Sequence, residues 1–172
     1  MSEQLVKSYE SIETVKNKFL KKMDGISDDA FNKKALDGKW SLAQTFYHLH
    51  LVESGTIFTI QKNLKADKVK LNAGFDNIFR SIFLGLVLKS PFKFKAPKLV
   101  SDLPERISLQ EIKDLFEKSN QNFKSILNDL PKELESKQIF KHPLVGLFTI
   151  NQTLDFVREH YLHHERQLDK LL

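Results

Sequence analysis

The sequence contains no cysteine among its 172 residues. This absence excludes a thiolate nucleophile, a zinc finger, an iron–sulfur cluster and a disulfide framework. Any metal ion that the chain binds must therefore be held by nitrogen or oxygen atoms. A chain of this length can bury a substantial core without disulfides or a structural metal. We therefore expect one domain over residues 1–172.

Long apolar segments are also missing. The most apolar stretch, 78–88, contains Arg80 and is far shorter than the roughly 20 residues that a membrane-spanning helix needs. The first ten residues are charged and amphipathic, without the apolar core and cleavage site of a secretory signal. We therefore expect a cytoplasmic protein without a membrane partner.

The formal net charge of +5 is regional. Residues 61–100 contain nine lysines and arginines against two acidic residues. No nucleic-acid-binding motif accompanies this charge, so we interpret the region as a solvated, Lys-rich connection and expect no nucleic-acid partner. An anionic small-molecule substrate remains compatible with it.

Four long helices are predicted from apolar residues that recur every three or four positions and from helix start signals. Three of them open with a capping box, a Ser or Thr followed three residues later by Glu or Gln, at Ser41, Ser108 and Thr149. A short capped turn is expected at Ser27. The four predicted helices span about 3–24, 41–64, 108–130 and 149–172.

A long connection, 66–107, separates the second and third predicted helices and contains an inner helical run near 76–89. It is too long for a simple turn, so we predict an all-α four-helix bundle with one long crossover between helices two and three. No alternating strand pattern is long enough to support a sheet. The phenylalanines of the connection either fold over one end of the bundle or form a partner surface; they are Phe75, Phe79, Phe83, Phe92 and Phe94.

Three of the six histidines lie within residues 160–164. On a helix, His160 and His164 are one turn and about 40 degrees apart, so both imidazoles can reach one ion. His164 lies in the apolar stripe of the last helix and His160 on its margin, whereas His163 points towards the polar side. Two such imidazoles suit zinc, nickel, cobalt or iron(II). The pair alone is also compatible with surface or hydrogen-bonded core histidines.

A third ligand would have to come from a neighbouring helix, and the second helix offers His48 and His50. These residues lie roughly 160 degrees apart around the helix axis, so only one of them can join the pair. The apolar stripe mildly favours His50, because His48 falls on the side of Gln44 and Thr45. A metal site at the mouth of a bundle often lies on a mixed face, which is compatible with His48. The periodicity leaves both alternatives open.

Two separated motifs stand out: the predicted second helix begins with Trp40-Ser41-x-x-Gln44-x-x-x-His48-Leu49, and the predicted last helix contains H-x3-H-x2-Q from His160 to Gln167. Both resemble the corresponding helix motifs of one family, the DinB/YfiT-like superfamily. The resemblance extends over nearly the whole chain. It implies a divalent metal ion, zinc, nickel or similar, whose ligands would be His48, His160 and His164. His50, which the apolar stripe favours and the motif opposes, is the reserve for the third ligand.

Several residues near these histidines are interpreted through the same resemblance. His142-Pro143-x-x-Gly146 is similar to an HP-x-x-G turn in an uncharacterised branch of the superfamily, which implies a turn role for His142. Gln44 stands where many relatives have Glu, so a carboxylate near the metal is missing. Gln44 and Gln167 are candidates for orienting a histidine ligand. Glu53 and Glu165 could serve in proton transfer, but we interpret both as ordinary solvated helix residues.

The resemblance implies metal-dependent chemistry on small molecules. The first expectation is a thiol-dependent S-transferase, in which the metal deprotonates a low-molecular-weight thiol such as bacillithiol or mycothiol. A hydrolase that uses metal-bound water would need the same three nitrogens. A third alternative is a non-catalytic, stress-associated binding protein whose Phe-rich crossover contacts a partner. A homodimer through the helix faces or the crossover is compatible with the sequence.

Overall fold

The described part of the chain contains four long helices and one short one. The computed structural model describes residues 1–34, 39–66, 102–142 and 146–172. Helix α2 is a short element between the first two long helices, and a 3-10 turn at Lys132–Leu134 follows α4. The helices are α1 (Glu3–Lys22), α2 (Asp28–Asn32), α3 (Leu42–Lys65), α4 (Leu109–Asp129) and α5 (Ile150–Leu168).

The predicted start signals of α2, α3, α4 and α5 are confirmed by hydrogen bonds. Ser41, Ser108 and Thr149 each accept a hydrogen bond from the backbone N–H three residues later, and the Gln or Glu at that position bonds back to the cap. Ser27 caps α2 with a single bond, which its side chain accepts from the N–H of Ala30. These bonds satisfy N–H groups that lack partners inside a helix. They fix where each helix starts, and so which face each residue occupies.

The four long helices pack as a bundle, which confirms the predicted fold class. Helix α5 packs against both α1 and α3, and α3 also packs against α4. No helix within the described ranges is both long and apolar enough to cross a lipid bilayer. The predicted inner helix near 76–89 and the phenylalanines of the crossover lie outside the described residues. The apolar core includes Leu5, Ile12, Phe19, Phe46, Leu49, Phe116, Phe123, Leu154 and Val157.

A two-stranded hairpin lies before α5, and the prediction of no sheet was wrong. Strands β1 (Phe140–His142) and β2 (Gly146–Phe148) pair antiparallel, with Phe140 opposite Phe148. Each strand has three residues, too few to show the alternation by which strands are recognised in a sequence. The ring of Phe140 stacks on Phe156 of α5, with centroids 6.0 Å apart. The hairpin therefore covers the first turns of α5.

Candidate metal centre

Three imidazole rings meet where α3 lies beside α5. His48 comes from α3, and His160 and His164 come from α5; one ring nitrogen of each lies within 4.8 Å of the other two. The ring centroids form a nearly equilateral triangle with sides of 5.1, 5.1 and 4.8 Å. The structure therefore brings together the three histidines named from the motifs.

The residue types of this cluster and one of its nitrogen–nitrogen distances fit a divalent ion with nitrogen ligands. The Nε2 atoms of His48 and His160 are 3.3 Å apart. Two nitrogens that each lie about 2.05 Å from a tetrahedral ion are separated by about 3.3 Å. Among the described residues the cluster contains histidines and no carboxylate, a ligand set that suits zinc or nickel better than magnesium or calcium. The residues present therefore fit the metal that the motifs imply.

Burial keeps the rings of His160 and His164 neutral. His48 and His164 are 4% and 7% exposed. Burial, and next the neighbouring His48, lower the pKa of His164 to about 3. Burial and the adjacent His164 and His48 hold the pKa of His160 well below its usual value. A neutral imidazole has a free lone pair, which is the form that binds a metal ion.

Gln167 holds the ring of His164 in one orientation. His164 Nδ1 donates to Gln167 Oε1 at 3.0 Å, and Gln167 Nε2 donates to Thr45 Oγ1 at 3.3 Å. Thr45 Oγ1 in turn donates to the carbonyl oxygen of Ser41 at 2.9 Å. A proton on Nδ1 leaves Nε2 free for an ion. The predicted contact between Gln167 and a histidine is therefore present in the structure.

The side-chain amide of Gln44 makes its hydrogen bonds at the start of α3. Its Oε1 atom accepts from the backbone N–H of Ser41, and its Nε2 atom donates to the carbonyl oxygen of Pro104. These bonds belong to the start of α3 and to the segment packed beside it. The structure therefore places Gln44 in the helix cap and does not bring it to a histidine through these bonds.

The alternative ligand, His50, faces a different helix. Its Nδ1 atom lies 3.3 Å from Ser119 Oγ on α4, and its ring lies 6.3 Å from that of Phe116. Two residues along a helix turn a side chain through about 200 degrees, which carries His50 away from α5. Burial lowers the pKa of His50. Of the two alternatives that the periodicity left open, His48 is therefore the histidine that lies beside the α5 pair. His163 is exposed, as predicted.

Aromatic rings flank the histidines on two sides. Trp40, directly before the cap of α3, contacts the ring of His48 with centroids 4.9 Å apart. Phe156 lies 5.9 Å from His160, one turn earlier on α5. His142, at the end of β1, contacts Phe156 at 4.7 Å and is 7% exposed. The sequence predicted only a turn role for His142, because the hairpin that carries it to α5 has no recognisable strand pattern.

Burial lowers the pKa of His142 to about 4, which predicts an acid-sensitive fold. In the unfolded chain this histidine takes up a proton near pH 6.5. Because the folded pKa is depressed, the unfolded state binds more protons between about pH 6.5 and 4, and stability falls as the pH is lowered through that window. We expect His142→Gln to reduce the pH slope of the unfolding free energy by up to about 1.4 kcal/mol per pH unit in metal-free protein, measured by urea unfolding. An unchanged slope would contradict a neutral, buried His142.

The interpretation of Glu53 as a solvated residue was wrong. Glu53 is 1% exposed, and it accepts from Lys16 Nζ at 2.9 Å and from the hydroxyl of Tyr161 at 2.5 Å. A signal was present in the sequence, since buried Leu49 and Ile57 lie one turn before and one turn after Glu53 on the same face. Glu165, by contrast, is a surface partner of Lys18 and fits its predicted role.

The fold and the site together define the class of this protein, which is a helical bundle with a histidine cluster between two of its helices. The family model described as the DinB superfamily matches residues 11–168, and the chain therefore belongs to that superfamily. The chain is 26% identical over 149 residues to the uncharacterized protein YuaE of Bacillus subtilis (strain 168), covering 87% of each chain.

Two solved structures share the fold. YfiT from Bacillus subtilis is described as a probable metal-dependent hydrolase with an unusual four-helix bundle topology. It superposes with a TM-score of 0.61 at 18% identity, over 99% of this chain and 87% of YfiT. An uncharacterized protein from Clostridium difficile 630 gives a TM-score of 0.57 at 14% identity, over 99% of this chain and 98% of that one. At these identities the comparison shows the fold alone.

Proposed function

We propose that this chain is a metal-dependent enzyme that acts on small molecules. Of the two candidate reaction classes, we propose hydrolysis first. The observation that carries the proposal is the convergence of three imidazoles, two of them with nitrogens 3.3 Å apart, at a buried point between α3 and α5. The description of YfiT as a probable metal-dependent hydrolase supports the reaction class.

The ligands of the ion would be His48, His160 and His164. When bound, a divalent ion on three nitrogens keeps positions open for other groups and lowers the pKa of a coordinated water or thiol towards neutrality. The protein's part is to hold the rings. Gln167 sets the tautomer of His164, and Trp40 packs against His48, so that the ligand nitrogens are directed to one point before an ion arrives.

Thiol transfer is the second candidate, and the composition of the cluster favours it. Hydrolysis at a metal centre is usually assisted by a side chain that accepts a proton, and a carboxylate often has this role. The histidine cluster in the described part of the chain includes no Asp or Glu. Glu53, the nearest such residue along α3, is committed to Lys16 and Tyr161. A thiol of low pKa needs no such base, and the absence of cysteine means that the thiol would be a cosubstrate.

Metal removal and thiol addition test the two reaction classes separately. We expect protein treated with a chelator to lose turnover of a panel of activated esters and amides, and to regain it when zinc or nickel is returned. For a hydrolase, the rate does not change when a low-molecular-weight thiol is added. A transferase consumes an alkylating electrophile only with thiol present, and the thioether product is detected by mass spectrometry. Turnover that persists without metal in both assays would refute the proposal.

A further inference from the structure

The interior of the bundle contains a polar cluster separate from the three histidines. Each long helix contributes one residue, and we name Lys16, Glu53, Asn120 and Tyr161 the interior cluster. Lys16 Nζ donates to Glu53 Oε1 at 2.9 Å and to Asn120 Oδ1, and the Tyr161 hydroxyl donates to Glu53 Oε2 at 2.5 Å. Lys16, Glu53 and Tyr161 are each 1% exposed.

Every strong hydrogen-bonding group of the lysine and the carboxylate is used. Lys16 also donates to Glu13 Oε1 at 2.9 Å, so its three N–H groups have three acceptors. Both oxygens of Glu53 accept a bond. Burial, and next the charge of Glu53, raise the pKa of Tyr161 well above its usual value, so the phenol keeps the proton that it donates. The network is complete and its geometry is directional.

Stability alone does not account for such a cluster. Two charges that are moved out of water lose solvation free energy, and their mutual attraction rarely exceeds this loss. Apolar side chains of similar volume often stabilise a core equally well or better. The interior cluster borders the apolar core, since the ring of Phe116 lies 5.6 Å from Lys16 Nζ. A buried polar network of this kind specifies one arrangement of helices among several that would be similarly stable.

The link between Glu53 and Tyr161 joins the same two helices that carry the histidines. Tyr161 follows His160 directly on α5, and Glu53 lies five residues after His48 on α3. The Thr45–Gln167 bond joins α3 and α5 on the other side of His48. Two directional links therefore bracket His48 along α3. A shift of α5 against α3 would break both of them.

We propose that Glu53 and Tyr161 are positioning residues for the metal centre, holding α5 against α3 in the one register at which the nitrogens of His48, His160 and His164 meet. This inference rests on the proposed function. Ligand atoms must lie within a few tenths of an ångström of their ideal distance for tight binding, whereas apolar burial between helices is non-directional and by itself specifies one arrangement less strictly. The directional bond between the carboxylate and the phenol supplies the finer constraint.

Tyr161→Phe tests this role, with Tyr9→Phe as the matched control. Tyr9 is also buried, and its hydroxyl donates to the backbone carbonyl of Asn120 at 3.2 Å, but it joins α1 to α4, which carry none of the three histidines. Both changes remove one oxygen atom from the interior. Cobalt(II) is the probe, because its visible absorption reports the geometry of its ligands, and its dissociation constant is obtained by titration and chelator competition.

We expect Tyr161→Phe to weaken cobalt binding about 10-fold or more and to change the visible spectrum, with the far-ultraviolet circular dichroism of the wild type retained. The Tyr9→Phe variant should bind cobalt with a dissociation constant within about 2-fold of that of wild type and should keep the wild-type spectrum. We expect this even if its midpoint of urea unfolding falls as far as that of Tyr161→Phe. Equal affinities and spectra for Tyr161→Phe and wild type would overturn the inference, as would equal losses in both variants. Wild-type protein that binds no cobalt would instead contradict the proposed function.

Discussion

Replacing His160 or His164 with alanine should abolish metal binding. Each change removes one of three nitrogen ligands, and even the hydrogen-bonding partners of ligands are worth about 10- to 100-fold in metal affinity. We therefore expect each variant to bind more than about 100-fold more weakly than wild type. Wild-type protein should retain about one equivalent of zinc or nickel after dialysis, and the variants almost none, measured by elemental analysis.

His50→Ala is the control for this experiment. His50 lies two residues from His48 on the same helix, and its ring faces Ser119 on α4. The His50→Ala variant should keep the metal content of the wild type, whereas the His48→Ala variant should lose its metal. Retention of metal by His48→Ala together with its loss by His50→Ala would contradict the assignment of the third ligand.

Lys16→Met should have the largest effect on stability. The change keeps most of the side-chain volume but leaves the carboxylate of Glu53 buried without its cation. Removing one partner of a buried ion pair costs about 3–5 kcal/mol of unfolding free energy, because the remaining charge has lost both water and partner. We expect a decrease of this size in the metal-free protein, measured by urea unfolding at pH 7.

Two comparisons separate this effect from a general loss of charge. Lys18→Met makes the same change two residues away, where the side chain is 60% exposed and pairs with Glu165, and it should leave the unfolding free energy within error. The double variant Lys16→Met with Glu53→Gln should be more stable than Lys16→Met alone, because a neutral amide still accepts the Tyr161 hydroxyl. Additive losses in the double variant would show that the two charges do not act as a pair.

The helices could be predicted from the sequence because their signals are local. Ser41, Ser108 and Thr149 each have their capping partner three residues away, and the observed hydrogen bonds are the predicted ones. The hairpin was missed for the same reason. Its strands are three residues long, and what holds Phe140 in place is Phe156 on α5, a contact between separate elements.

The site could be predicted only in part, because burial depends on packing between helices. Periodicity favoured His50 over His48, since it measures how apolar a face is and a metal centre needs a mixed one. The motif containing Trp40 and Ser41 pointed to His48, and the structure places that ring beside the α5 pair. Leu49 and Ile57 mark the face of Glu53 as apolar, but Lys16 looks like a surface residue when it is taken alone. The ion pair between these two residues joins α1 to α3, and neither local sequence contains that pairing.

X-ray absorption spectroscopy of the zinc- or nickel-loaded protein tests the central claim most directly, because it counts the atoms bound to the ion. We expect one ion per chain with a first coordination sphere that includes three imidazole nitrogens at about 2.0–2.1 Å. Absence of imidazole scattering, with an ion bound by oxygen ligands alone, would contradict it.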